Sequence, residues 1–258
     1  MTGGGRGFRQ PGIVLALTVL MAVGWTGVEA WRGGATAMAQ YKQQFQGKEA
    51  ALEASINADD PAAAERALTA GADVNARGAH GVTPLEFAVG TFRKKVVRVL
   101  LGHGADSAAR DVEGNNAVTI ALLAWSRDPE LLRMLLAAGA DPNTRMNDDD
   151  PIISAMNAFN DLEGIRLLHK AGADIDIRTR TGKPLIVEAA NIENWDVVWL
   201  LLELGARYDY SDEPNNIQKA FRGRSALTPG SPRWNDKAKV WRFLKERGLK
   251  VPPMPEAE

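Results

Sequence analysis

The residues best suited to chemistry in this sequence are three histidines. His80, His103 and His169 are its only histidines, and no two of them lie within four positions of each other. A metal site or a proton-transfer pair needs such groups to converge in space. We expect His80 to lie in a turn, and His103 and His169 to lie in the last turns of helices, where a cation is mildly favourable. We therefore predict that all three histidines have structural roles.

Other patterns of catalysis and ligand binding are also missing. Residues 148–150 are three consecutive aspartates, whose side chains diverge and lack the spacing of a calcium loop. The sequence has no G-x-S-x-G motif and no phosphate-binding loop followed by Lys and Ser or Thr. It has no cysteine, which removes disulfides and thiolate metal sites together. We predict a protein that is not an enzyme, with no catalytic residue, metal or cofactor.

A recurring glycine sets the organisation of the chain. The glycine of a Gly-Ala-Asp phrase, or of Gly-Ala-Arg in the last copy, recurs at spacings of 33, 35, 33 and 33 residues, at Gly71, Gly104, Gly139, Gly172 and Gly205. Each glycine follows an apolar stripe with i, i+3, i+4 spacing, such as residues 96–101, which indicates the end of a half-buried helix. A shorter segment of small residues, such as 84–88, precedes each stripe. Each unit is predicted as turn, short helix, turn, longer helix and loop.

The sequence of these units resembles the ankyrin repeat. Residues 81–88 read Gly-Val-Thr-Pro-Leu-Glu-Phe-Ala and residues 71–76 read Gly-Ala-Asp-Val-Asn-Ala, beside a family pattern of T-P-L-H-x-A with a later G-A-D-V-N loop. The resemblance implies an all-α ankyrin-repeat solenoid of about five to six helix-turn-helix units. Glu86 replaces the family histidine, and later units lack the full Thr-Pro-Leu turn. We expect looser middle repeats but no change of fold.

The repeats divide the chain into three regions. We predict a signal peptide or signal anchor helix over 1–39, ankyrin repeats over 40–210, and a degenerate C-terminal capping repeat with a tail over 211–258. The units begin at roughly residues 46, 77, 110, 145 and 178. Residues 240–248 repeat the helix-then-glycine pattern, but Gly248 follows Gly205 by 43 residues, so we expect an inserted loop around 222–235.

Trp199 falls between the apolar positions of its helix. We expect it to pack against the C-terminal region, which would then cover the last repeat, as an array requires. The alternative is an exposed apolar patch for a partner.

The N-terminus has the features of an export signal. Arg6 and Arg9 precede an uncharged run over residues 10–28. A basic start, an apolar stretch and small residues after it are typical of a secretory signal, with cleavage after Ala30 or Ala39. The alternative is an uncleaved anchor, which would be the chain's only contact with a membrane. Both interpretations place the repeats outside the cytoplasm, and we predict a periplasmic location.

The charge balance of the chain indicates which class of partner is unsuitable. The chain has 31 Lys and Arg against 32 Asp and Glu, a net charge of −1. This balance offers no basic patch, so we predict no nucleic-acid partner.

In proteins that this sequence resembles, the turn tips and the exposed side of each first helix form a concave face that binds a protein partner. Arg and Tyr are the residue types that often anchor such interfaces. The predicted partner-binding residues are Arg77, His80, Arg110, Glu113, Arg145, Asp148, Asp149, Arg178, Arg180, Tyr208 and Tyr210. We expect charge reversal at Arg145, Arg178 and Arg180 to weaken binding and to leave thermal unfolding nearly unchanged.

The resemblance also implies a function. Small exported ankyrin-repeat proteins of bacteria include immunity proteins that block a phospholipase or another toxic effector delivered by type VI-like secretion. We therefore predict a non-catalytic periplasmic protein-binding module that neutralises a secreted effector through its concave face. The alternative is a housekeeping envelope adaptor that supports a resident enzyme, as in peroxide protection.

Overall fold

The computed structural model describes residues 45–210, 216–222 and 227–254. The predicted signal or anchor over 1–39 lies outside these residues. Within them the chain is helical, apart from two isolated bridges, and forms eleven α-helices. These helices are α1 Glu49–Ala58, α2 Pro61–Thr69, α3 Pro84–Gly90, α4 Lys94–Gly102, α5 Ala117–Leu123, α6 Pro129–Ala137, α7 Ile152–Ala158, α8 Leu162–Lys170, α9 Leu185–Asn191, α10 Trp195–Glu203 and α11 Pro232–Glu246.

The first ten helices form five helical hairpins that stack side by side. We call α1, α3, α5, α7 and α9 the inner helices, and α2, α4, α6, α8 and α10 the outer helices. Inner helices pack on inner helices and outer on outer: α3 contacts α1 and α5, and α4 contacts α2 and α6. One apolar cluster runs through the stack from Phe45 to Leu244. The predicted repeat organisation is confirmed over these five units. Over the part of the chain that the structure describes, no helix is both long and apolar enough to cross a bilayer.

The recurring glycine ends each outer helix, as its spacing predicted. Gly71 has φ of 93°, and its N–H donates to the Leu68 carbonyl oxygen at 2.9 Å. The next N–H, of Ala72, donates to the Ala67 carbonyl oxygen at 3.1 Å. This pair of bonds is the Schellman motif, which needs a left-handed residue at the glycine position. The same pair closes the outer helices of the other four units.

The inner helices begin in two ways. Thr83 and Glu86 form a capping box at α3, in which each side chain accepts a hydrogen bond from the other residue's backbone N–H. Asn116 and Thr119 form the equivalent box at α5. We expected a looser third unit, but Asn116 and Thr119 make the same two capping bonds there that Thr83 and Glu86 make in the second unit.

Prolines precede the inner helices of the fourth and fifth units. Pro151 and Pro184 occupy the N-cap positions of α7 and α9, without a side-chain cap. Each proline instead pairs with the start of its own turn, in the bridges Arg145 to Pro151 and Arg178 to Pro184. A short antiparallel pairing thus replaces the capping box in these units.

A sixth, irregular unit covers the fifth. The five-residue 3₁₀-helix Ile217–Phe221 packs on α9, in the place of an inner helix, and α11 packs on α10. Helix α11 begins at Pro232, and Ser231 is its N-cap. The loop predicted around residues 222–235 is therefore too long, since residues 232–235 are helical. The reason is that Ser at the N-cap followed by Pro favours the start of a helix. Trp199 meets Phe243 of α11 edge-on, with ring centroids 6.1 Å apart, as expected for a covering unit.

A buried lysine joins the sixth unit to the array. Lys237 of α11 is 1% exposed, and its Nζ lies 3.3 Å from Oε1 of Glu193. The same ammonium lies 5.0 Å from the ring centroid of Trp195 and 5.9 Å from that of Phe221. A carboxylate and two aromatic faces thus compensate the desolvated charge at this joint.

Candidate protein-binding surface

An arginine begins four consecutive turn tips, and we call these residues the arginine ladder: Arg77, Arg110, Arg145 and Arg178. Each guanidinium closes its own turn by donating to the carbonyl oxygen four residues later, of Gly81, Gly114, Asp149 and Gly182 respectively. The first three also donate to the carbonyl oxygen of the next ladder arginine, at 2.6, 2.7 and 3.2 Å. The ladder therefore ties neighbouring tips together.

The ladder arginines lie at the predicted tips, but their N–H groups bind within the array. Their cationic charge stays at the surface, and part of their hydrogen-bonding capacity is used by backbone carbonyls. Their contact with a partner stays a prediction. The structure adds a role that the sequence did not show, which is to hold the tips in a defined arrangement.

His80 and Glu113 occupy exposed positions on adjacent tips. His80 has a positive φ of 56°, and its carbonyl oxygen accepts a hydrogen bond from the Val112 N–H at 2.9 Å. The Glu113 carbonyl oxygen accepts from Nδ2 of Asn147 at 2.6 Å. Backbone groups of both residues are thus fixed between tips.

Arg180 bridges the tips of the fourth and fifth units. Its Nε lies 3.5 Å from Oδ2 of Asp148 and 3.9 Å from Oδ2 of Asp150, and its backbone N–H donates to Oδ1 of Asp150 at 3.0 Å. Burial raises the pKa of Asp150, and the neighbouring Asp148 raises it further. The Asp149 side chain is 80% exposed, and its Oδ2 lies 3.8 Å from Nη1 of Arg145. No group of three or more His, Asp or Glu side chains suited to a metal occurs in residues 45–210, 216–222 and 227–254.

The two predicted tyrosines do not form a sixth tip. Tyr210 is 2% exposed, and Arg207 covers its ring at 4.4 Å from the centroid. Tyr208 is half-buried and meets Phe243 edge-on at 5.3 Å between centroids. The placement of Tyr210 on an exposed tip is therefore wrong, because its ring is buried beneath Arg207. Contact of the half-buried Tyr208 with a partner stays a prediction.

An exposed apolar line lies at the ends of three consecutive inner helices. Leu123 ends α5, Phe159 follows α7 and Ile192 follows α9, with 37%, 57% and 37% of the residue exposed. Phe159 and Ile192 are 33 residues apart and occupy the same position in their units. Sequence reasoning missed this apolar line, although Phe159 and Ile192 gave a signal: an apolar residue that recurs at the repeat period outside the buried stripe.

The outer helices present a different surface, on which charges pair between units. Nε2 of His103 lies 2.7 Å from Oε2 of Glu65, and both Lys94 and Arg98 reach Glu130 at 2.8 Å. Hydrogen bonding holds the pKa of Lys94 above its usual value and the pKa of Glu130 below it. The pattern continues along the stack, in the pairs Arg133 with Glu163 and Arg166 with Glu203. Several charged side chains of the outer helices are thus paired between neighbouring units.

Comparisons with known proteins agree with this architecture. Residues 50–146 match the family model of ankyrin repeats, in three copies. The structure is similar to the crystal structure of the ankyrin repeat domain of Bcl-3, a member of the IkappaB protein family, with a TM-score of 0.57 and 21% identity over 71% of this chain and 79% of that one. The chain is also 44% identical over 69 residues to Protein PhlB of Serratia liquefaciens, a match that covers 27% of this chain and 30% of PhlB. The matched segment therefore spans less than a third of that relative.

Residues 50–146 are ankyrin repeats, and the chain has the ankyrin-repeat fold, which is typically a non-catalytic scaffold for protein–protein interaction.

Proposed function

We propose that this protein is a periplasmic binding module that neutralises a secreted effector, such as a phospholipase, by covering it with the concave side of the array. The observation that carries the proposal is the apolar line of Leu123, Phe159 and Ile192, exposed at the C-terminal ends of the inner helices while the outer helices pair their charges with one another. Its periplasmic part rests on the basic and apolar N-terminal sequence.

The arrangement matches the anatomy of a protein interface. Desolvated apolar and aromatic groups form the energetic centre of an interface, and polar groups form its rim. Phe159 supplies an aromatic centre, and the charged tips around Arg180 and Asp149 supply a rim. Because the arginine ladder already orders the tips, binding costs less conformational entropy than it would with free loops. Inhibition then requires only that the covered surface include the effector's active site.

Capture of a partner from an envelope extract of the source organism tests the proposal. The tagged full chain is compared with the double variant Phe159→Glu/Ile192→Glu, and captured proteins are identified by mass spectrometry. We expect a secreted hydrolase with the unaltered chain and a loss of about tenfold or more in the double variant, because two charges enter a desolvated centre. Addition of the pure chain should then inhibit that hydrolase in a direct assay.

The control is Ala62→Glu, an exposed substitution on the outer helix α2. It should leave capture unchanged. Capture that survives in Phe159→Glu/Ile192→Glu would place the binding surface elsewhere. Capture of a resident envelope enzyme that keeps its activity would favour the adaptor.

A further inference from the structure

Charge is unevenly distributed between the five repeats and the sixth unit. Residues 45–210 contain 17 Lys and Arg against 25 Asp and Glu, whereas residues 211–258 contain 10 against 6. The repeats are thus acidic and the C-terminal region is basic. A whole-chain net charge of −1 hides this polarity, which is why the overall balance predicted no basic patch. Such asymmetry is typical of a protein that meets an anionic surface.

The basic charge lies at the surface of α11 and of the turn after it. Six exposed cations lie within 18 residues: Arg233, Lys239, Arg242, Lys245, Arg247 and Lys250. Lys239 pairs with Asp236 at 2.7 Å. Arg242 and Lys245 instead contact a backbone carbonyl and the ring of Trp241, with no carboxylate partner in the described part of the chain. Neither of these two cations is therefore paired with a carboxylate in the described residues.

Two half-buried tryptophans border these cations. Trp234 and Trp241 are seven residues apart, so they share one side of α11 with Lys245. No later helix covers α11 in the part of the chain that the structure describes, and the Trp241 indole N–H donates to the Pro252 carbonyl oxygen at 2.8 Å. Exposed Lys and Arg beside partly exposed Trp on a surface helix are typical of a helix that lies on an anionic bilayer, where the cations meet headgroups and the indoles lie near the interface.

We propose that the outward face of α11 docks onto an anionic phospholipid bilayer. The acidic repeats are repelled by the same surface, so the molecule would stand on its C-terminal end. That orientation leaves the inner side of the array, including Phe159, open to a protein partner. This docking is separate from partner capture and does not depend on it.

Vesicle co-sedimentation of the full chain tests the docking. Vesicles of phosphatidylcholine alone are compared with vesicles containing one quarter phosphatidylglycerol, at 50 and 300 mM NaCl. We expect binding to be at least about tenfold stronger to the anionic vesicles at low salt, and to fall sharply at high salt as the charges are screened. The variant Arg242→Glu/Lys245→Glu should lose about tenfold or more of this lipid-dependent binding. Binding to the neutral vesicles, including any through the N-terminal apolar segment, should not change.

The matched control is Lys95→Glu/Lys170→Glu, which makes the same charge change at exposed positions of α4 and α8. It should bind anionic vesicles as the unaltered chain does, and so should Phe159→Glu/Ile192→Glu. Equal binding to both vesicle types, or an equal loss in the two charge-reversal variants, would overturn the proposal. A salt-sensitive dimer seen without lipid by analytical ultracentrifugation, and abolished by Arg242→Glu/Lys245→Glu, would assign the face to a second copy instead.

Discussion

Glu86 shows how one substitution within a repeat changes the chemistry of its position. It stands where the ankyrin pattern has histidine, and it is 2% exposed. One carboxylate oxygen accepts a hydrogen bond from the Thr83 N–H at 2.6 Å, and the other has no hydrogen-bond partner. Burial raises the pKa of Glu86 to about 7, nearby Asp111 raises it further, and the Thr83 bonds and Arg77 oppose the shift. The carboxyl is therefore largely protonated in the folded protein at mildly acidic pH.

This raised pKa predicts that the repeats are less stable at alkaline pH. Between about pH 4.5 and 7 the unfolded chain ionises Glu86 while the folded chain keeps the proton, so the free energy of unfolding falls as pH rises. Glu86→Gln removes this titration. We expect the loss of stability from pH 5.5 to pH 8 to be smaller in Glu86→Gln than in the unaltered chain, as measured by urea unfolding at both pH values.

The comparison cancels the contributions of all other groups, because the two proteins differ only at residue 86. An unchanged difference between the two pH values would show that Glu86 is ionised in the folded state throughout this range.

The turn tips are held by bonds within each tip and by bonds between neighbouring units. Arg145 Nη1 donates to the Asp149 carbonyl oxygen at 2.6 Å, and Nη2 donates to the Arg178 carbonyl oxygen at 3.2 Å. One side chain thus closes one tip and holds the next. The expectation that charge reversal at Arg145 and Arg178 leaves unfolding nearly unchanged is therefore revised.

We expect Arg145→Ala to lower the free energy of unfolding by about 1 to 2 kcal/mol, because two charge-assisted bonds to backbone carbonyls are lost. Arg145→Lys should recover part of the loss, since an ammonium lacks the fork that reaches both carbonyls. Arg133→Ala removes an exposed ion pair of an outer helix and should cost less than about 1 kcal/mol. Denaturant unfolding measures all three, and an equal cost for Arg145→Ala and Arg133→Ala would contradict the bridging role.

The molecule is an array with one regular end and one irregular end. At the irregular end, the sixth unit buries Trp195 completely and covers Trp199 and Tyr208 through Phe243. Its 3₁₀-helix and 15-residue α11 replace the regular hairpin. The same unit carries the basic surface, so it closes the array and polarises the molecule.

Removal of residues from Ser211 onward should therefore lower both the solubility and the melting temperature of the protein. The truncation exposes apolar side chains of α10 that α11 covers. Lys237→Ala is the milder variant, and it should cost about 2 to 4 kcal/mol because it empties a buried site and leaves Glu193 without this partner. Lys239→Ala on the exposed side should stay within about 0.5 kcal/mol. A soluble truncated chain with an unchanged melting temperature would refute the covering role.

The repeat architecture was readable from the sequence because its determinants are local and recur. Gly104 and its counterparts end each outer helix through their own backbone conformation, and the apolar stripe before each glycine shows which face is buried. The same logic located the turn tips at Arg77 and Arg110, because a tip follows each glycine loop at a constant distance. Periodicity therefore predicts the fold and the positions of the predicted site residues.

Only the tertiary structure decided which side chains of those positions are available. Whether a guanidinium such as that of Arg145 faces solvent or a carbonyl of the next unit depends on a residue 33 positions away. Tyr210 is buried, with Arg207 over its ring, whereas the stacking of units leaves Phe159 exposed. The basic face of α11 likewise arises from which cations lack a carboxylate neighbour. All of these features depend on contacts between units, which the sequence pattern within one unit does not show.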